Sequence, residues 1–265
     1  MQTLTLTLIQ TDVFWENKEQ NFLMLTDKIR NIKEKTEVII LPEMFSTGFS
    51  MNAEMLAEDM NGPTVHWMKK MAAEKKAILT GSIIIREQDK FYNRLIWMLP
   101  TGDYGVYDKR HLFAFGEEDQ HYTAGNKRLI ASVKGWKINL QICYDLRFPV
   151  WSRQSPDAEK INEPEFDILI FVANWPEKRS HAWKTLLQAR AIENQSYTIG
   201  VNRVGNDGKN IYYNGNSMIT DPLGEVLYTK AIGEEVFTYT ISKEKLEEVR
   251  SKFPFGKDAD KFRLL

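Results

Sequence analysis

The chain holds one cysteine, Cys143, and it stands where a strand pattern breaks. Ile138, Leu140 and Ile142 alternate with Lys137, Asn139 and Gln141, the period of a strand. The alternation stops at Cys143; Tyr144, Asp145 and Arg147 follow, and Pro149 closes the turn. Loops just past strand ends are where α/β proteins tend to place reactive side chains, so this thiol is a candidate nucleophile. A free cysteine is also a common apolar filler, and its neighbours have to decide between the two readings. Two more apolar runs end in functional groups. Glu37 to Leu41 leads into Pro42-Glu43, and Asp167 to Val172 leads into Ala173-Asn174-Trp175-Pro176. If these strands lie side by side and parallel, Glu43, Cys143 and Asn174 meet at one edge, with Lys109 in a loop that reaches over them.

A carboxylate, an ammonium and a thiol together support acyl transfer through a thioester. The carboxylate takes the thiol proton, a contribution of about 10²–10⁴ in rate. The ammonium lowers the thiol pKa and, with the backbone N–H after Cys143, stabilises the oxyanion; losing one such donor costs on the order of 10²–10³ in turnover. The alternatives are a Cys–His hydrolase or transferase with His111, His121 or His181 as base, and a non-catalytic binding scaffold. A histidine base would leave much activity after Glu43→Gln. His66, His111, His121 and His181 lack H-x-x-x-H or H-E-x-x-H spacing, so no metal is expected. Gly200, Gly205 and Gly208 form no dinucleotide fingerprint, Gly205 to Gly208 reads as a turn, and no cofactor is expected.

The elements that must position these groups follow from periodicity. Leu4, Leu6 and Leu8 mark a first strand. Asn17 is placed to cap a helix with the stripe Phe22, Leu25, Ile29 and Ile32. Glu37 to Leu41 reads as a strand buried on both faces. A helix over Thr64 to Lys75 precedes a hairpin of Ala77–Ile85 and Phe91–Leu99. An irregular aromatic and acidic stretch from Tyr107 to Asn126 carries Phe113, Phe115 and Tyr122, which argues for a functional loop. Gln154 to Glu165 reads as a polar surface insert, and Ser180 as the cap of a helix through Asn194 with Trp183, Leu186, Leu187 and Ala191 on one face. Strands at Tyr197–Val201, Tyr212–Thr220, Glu225–Tyr228 and Glu234–Ile241 precede a short charged helix over Ser242–Arg250.

Composition bounds the class. A sequence that is 43% hydrophobic supports a core, and no linker, repeat or low-complexity tract divides residues 1–265, so one domain is expected. A net charge of −1 gives no field to recruit nucleic acid or an anionic membrane. A lone cysteine fits a reducing compartment, and Met1 to Leu8 reads as a strand rather than a signal sequence, so a soluble cytoplasmic protein is expected.

In order and spacing, Pro42-Glu43-Met44-Phe45, Lys109-Arg110-His111-Leu112-Phe113 and Cys143-Tyr144-Asp145-Leu146-Arg147-Phe148-Pro149 resemble the three signatures of the nitrilase, or carbon–nitrogen hydrolase, superfamily. The resemblance runs from the first strand to Phe253-Pro254. It implies a four-layer α-β-β-α sandwich, with Glu43 as base, Lys109 as oxyanion stabiliser and Cys143 as nucleophile. It also implies a homodimer formed through helices beside the cysteine loop, and a second glutamate in the loop after the lysine, Glu118 rather than Glu117. Ala173 to Pro176, His181-x-Trp183 and Gln188 to Gln195 are most similar to the ω-amidase branch, whose substrates are amides of 2-oxo acids such as 2-oxoglutaramate. An N-carbamoyl or simple aliphatic amide is the alternative substrate. The far carboxylate of an ω-amide needs a cation or hydrogen-bond donors. Arg179 is the candidate, Arg147 is expected to pair with a carboxylate and fix the cysteine loop, and Asn174, Phe45, Phe115, Tyr144 and Trp175 complete the expected substrate site. The tail, Asp258 to Leu265, is a candidate for packing on a partner subunit.

Overall fold

The computed structural model describes residues 2–154 and 164–260. The chain runs β1 (Thr3–Gln10), α1 (Lys18–Arg30), β2 (Val38–Ile40), α2 (Pro63–Lys75), β3 (Ile78–Glu87), β4 (Lys90–Met98) and β5 (Tyr104–Asp108). It continues through β6 (Leu129–Val133), β7 (Trp136–Ile142), β8 (Ile168–Ala173), α3 (Ser180–Asn194), β9 (Tyr197–Asn202) and β10 (Val204–Asn206). It closes with β11 (Tyr212–Thr220), β12 (Val226–Ala231), β13 (Glu235–Ser242) and α4 (Lys243–Lys252).

One six-stranded sheet has the order β13-β1-β2-β3-β4-β5, and a seven-stranded sheet has the order β10-β11-β9-β8-β7-β6 with β12 on β11. The middle of each is parallel: β1-β2-β3 in the first, β7-β8-β9 in the second. A parallel neighbour requires a crossover, and α1, α2 and α3 supply those after β1, β2 and β8.

The layers follow from side-chain alternation. Val38 and Ile40 of β2 enter a core shared with Ile168, Ile170 and Val172 of β8, so the two sheets pack face to face. Ile39 and Leu41 turn the other way onto Leu25, Ile29, Met68 and Met71 of α1 and α2. Leu169, Phe171 and Ala173 likewise turn outward onto Trp183 and Leu187 of α3. Strands buried on both faces read as continuous apolar runs, which is why β2 and β8 are so apolar. The architecture is an α-β-β-α sandwich.

The structure departs from the sequence reading in several places. Glu43 follows a strand of the first sheet, while Cys143 and Asn174 follow strands of the second, so they meet across the sandwich rather than along one edge. Asn17 caps α1 through Gln20 N and Ser242 caps α4, but Ser180 does not cap α3; its hydroxyl bonds Asn214 Oδ1 at 2.8 Å. Strands β5, β6 and β10 are short, edge-proximal additions without clear alternation. Gly205 and Asn206 close β10, and the turn that follows spans Asp207 to Asn210. Most of the polar insert, residues 155–163, and the end of the tail, residues 261–265, lie outside the described residues.

Candidate active site

Glu43, Lys109 and Glu118 form a fully buried cluster in the angle between the sheets. Lys109 Nζ donates to Glu43 Oε1 at 2.9 Å and to Glu118 Oε1 and Oε2 at 3.0 and 2.8 Å. Glu118 also accepts from Phe113 N at 2.7 Å. Its neighbour Glu117 is exposed, in a left-handed conformation at φ 64°, so the chain turns there and aims Glu118 inward. Glu43 Oε2 accepts Asn174 N at 2.8 Å, and Asn174 Nδ2 donates to the Glu43 carbonyl at 2.6 Å. Asn174 therefore ties the end of β8 to the end of β2 across the sandwich.

Cys143 opens a 3-10 turn at the end of β7 with φ 44°, a left-handed conformation that costs a non-glycine residue of order 1–3 kcal/mol. Such strain persists where the surroundings over-determine it. Asp145 does so here: its Oδ2 accepts Ile142 N and Tyr107 Oη at 3.1 and 2.7 Å. Its Oδ1 accepts His111 N at 2.9 Å and lies 2.8 Å from His111 Nδ1. Because Tyr107 and His111 flank Lys109, one buried carboxylate fixes the lysine segment to the cysteine turn. His111 stacks on Phe148 with centroids 3.8 Å apart, and no histidine is among the residues lining the cavity above Cys143.

The electrostatics correct the expectation of a lowered thiol pKa. Burial pushes the Cys143 thiol well up and the Glu43 charge adds to it, against the opposing pull of Lys109. Burial also works against the Lys109 ammonium, but the Glu118 and Glu43 charges outweigh it and raise its pKa. Burial raises the Glu118 carboxyl, with Lys109 opposing and Glu43 reinforcing. A free thiolate would add a negative charge to this buried cluster, whereas handing the thiol proton to a neighbouring carboxylate leaves the total unchanged. The site therefore suits proton transfer at the moment of attack.

A cavity of about 500 Å³ opens above the thiol. Tyr144, Asn174, Trp175, Arg179 and Phe115 all border it. Phe45 does not: it is fully buried against Trp67 of α2, where it fills the helix–sheet layer. Arg147 also departs from expectation. Among the described residues it pairs with no carboxylate; it lies over the Trp175 ring at 4.9 Å and faces the cavity. Arg179 lies over Phe113 at 5.1 Å. The far wall runs from Asp207 to Tyr212 and Tyr213 at the start of β11; its place on the cavity was not legible in sequence because one side chain sets the course of the turn. Asp207 accepts Lys209 N, Ile211 N and Tyr213 Oη at 2.8–2.9 Å. Asn202, at the end of β9, was also missed; its side chain brackets the Trp175 backbone, accepting at 2.8 Å and donating at 2.9 Å.

An α-β-β-α sandwich with a strained cysteine, two carboxylates and a lysine gathered at its strand ends defines a nitrilase-type hydrolase. The chain belongs to the carbon–nitrogen hydrolase family, whose sequence model matches residues 5–251. It is 41% identical to the omega-amidase YafV of Yersinia enterocolitica over 100% of both chains. It is 31% identical to the 2-oxoglutaramate amidase of Bacillus subtilis, over 97% of this chain and 98% of that one. Among solved structures, a CN-hydrolase superfamily protein of Xanthomonas campestris with an arsenic adduct in its active site superposes with TM-score 0.97 at 44% identity, over 100% of both chains. The protein is an enzyme that hydrolyses carbon–nitrogen bonds. No helix among the described residues is long and apolar enough to cross a membrane.

Proposed function

We propose that this enzyme hydrolyses the terminal amide of 2-oxo dicarboxylic acid monoamides, 2-oxoglutaramate and 2-oxosuccinamate, giving the 2-oxo acid and ammonia. The observation that carries the reading is the pair of arginines, Arg147 and Arg179. Each lies over an aromatic ring of the cavity wall, and neither pairs with a carboxylate among the described residues, in a cavity floored by Cys143. A planar guanidinium held by stacking is pre-organised for a carboxylate. The omega-amidase and 2-oxoglutaramate amidase relatives support the same substrate class.

In this reading Glu43 takes the Cys143 proton as sulfur attacks the amide carbon. The oxyanion is held by Lys109 Nζ and the Tyr144 backbone N–H. Glu43 returns the proton to the departing nitrogen, ammonia leaves, and a thioester remains. Glu43 then takes a proton from water, which attacks the thioester; the C–S bond breaks, Glu43 passes that proton to the departing Cys143 sulfur, and the 2-oxo acid is freed with the thiol restored. Glu118 touches Lys109 rather than the thiol, and serves to aim it. Asn174 acts on Glu43, with Tyr144, Trp175 and Phe115 as walls.

A cytoplasmic homodimer completes the proposal. The unpaired Cys143 fits a reducing compartment, and the exposed Val150, Ile192 and Leu223 offer apolar surface. The test is ammonia release from 2-oxoglutaramate against N-carbamoyl amino acids, simple amides and nitriles, with Cys143→Ala as control. Cys143-dependent release from the oxo-acid amide above all others is expected. Preference for another panel member would replace the substrate and keep the reaction class.

A further inference from the structure

We infer that Asn93 is a positioning residue of this site, one that bridges Glu43 and Glu118 and keeps them ready for proton transfer. The inference rests on Glu43 being the base. Asn93 lies in β4 on the same side as Leu95 and Trp97, which enter the core between the sheets, and it is completely buried there. Its Nδ2 donates to Glu43 Oε1 at 2.8 Å and to Glu118 Oε1 at 3.1 Å. Those are the same two oxygens that Lys109 Nζ reaches at 2.9 and 3.0 Å. Asn93 O also accepts the Lys109 backbone N–H at 3.0 Å, so this residue touches all three charged members of the site.

The amide has a definite orientation. Turned over, its oxygen would face two carboxylates. As it stands, Oδ1 is buried with no partner among the described residues, a penalty the fold accepts to keep the donor end on the glutamates. The donor matters because one ammonium faces two carboxylates. The groups that converge here are Glu43 from the end of β2, Lys109 after β5, Glu118 at the start of the short helix Glu118–His121 and Tyr122 just past its end, and Cys143 after β7. Without the second donor, the carboxylate pair lowers its energy by retaining a proton, and a protonated Glu43 accepts nothing from the thiol. Asn93 thereby keeps Glu43 able to accept the thiol proton.

The test compares wild type with Asn93→Ala and the near-isosteric Asn93→Asp in two assays across pH. One is kcat/KM for ammonia release from 2-oxoglutaramate; the other is the rate of Cys143 alkylation by iodoacetamide, which needs no amide substrate. The acid limb of both profiles is expected to move up by about one pH unit in Asn93→Ala, with alkylation at pH 6 roughly 10-fold slower and the rates converging at higher pH. Asn93→Asp, which adds a third carboxylate, moves the limb further in the same direction and decides the matter if the alanine variant does not fold. Profiles parallel to wild type at every pH, whatever the loss of stability, would overturn the proposal. A wild type that alkylates normally but leaves 2-oxoglutaramate intact would sink the substrate reading, and the alkylation profiles would still decide the role of Asn93.

Discussion

At the scale of single residues, burial and the neighbouring Glu43 charge raise the pKa of the Cys143 thiol, beside the carboxylate proposed to take its proton. The strand-end positions of Glu43 and Cys143 could be read from sequence because an apolar run that stops at a polar residue is a local pattern. What could not be read was the partner of each arginine. A guanidinium in a loop has equal chemical reasons to pair with an acid, stack on an aromatic or face solvent, and only the fold decides. Arg147 lies over Trp175 rather than pairing with a carboxylate among the described residues, which in the proposed reading leaves its charge for the substrate. Arg147→Ala is therefore expected to raise KM for 2-oxoglutaramate by about 10–100-fold, the worth of one charge-assisted bond. Turnover of butyramide, which has no carboxylate, should stay near its wild-type value. Equal losses on both substrates, measured by steady-state kinetics, would assign Arg147 to the fold instead.

Elements matter here through their ends. Strands β2 and β8 were legible because burial on both faces demands continuous Val, Ile, Leu and Phe, β7 because Ile138, Leu140 and Ile142 alternate with polar residues, and α1 because Asn17 and the Leu25–Ile29 stripe are local signals. The pairing of β2 with one sheet and of β7 and β8 with the other was not, since no sequence period records which sheet a strand joins. Nor was the link between the segment after β5 and the turn after β7, which depends on one aspartate. Asp145 accepts from Ile142 N, Tyr107 Oη and His111 N, joining segments more than thirty residues apart. Asp145→Asn keeps the shape but replaces two acceptor oxygens by one. It is expected to cost about 1–3 kcal/mol of stability, read from the urea midpoint, because a buried donor is left facing an amide NH₂. It should lower kcat more than it raises KM, since Lys109 and the Tyr144 N–H would no longer share one aim. A variant of normal kcat would show that the two segments hold their register without it.

For the molecule as a whole, the sandwich places its charged machinery where water is scarce, and that has a consequence for stability against pH. The folded Cys143 thiol titrates well above its unfolded value of about 8.5. The folded chain thus keeps a proton that the unfolded chain has already released, so this stabilisation is complete below that pH and is lost as pH rises beyond it. The unfolding free energy from urea titrations should fall between pH 8.5 and 10 by up to about 1.4 kcal/mol per pH unit, and Cys143→Ala should flatten the fall. At higher pH the buried Tyr107, Tyr122 and Tyr213, all raised by burial, steepen it in both proteins. An identical slope in the two proteins between pH 8.5 and 10 would contradict a proton-retaining thiol. The covalent thioester at Cys143 is the most direct thing to measure. Wild-type enzyme quenched in acid during turnover of 2-oxoglutaramate, and weighed intact, should carry the acyl group left after loss of ammonia, mapped to Cys143 and absent from Cys143→Ala. Ammonia release that continues in Cys143→Ala would contradict it.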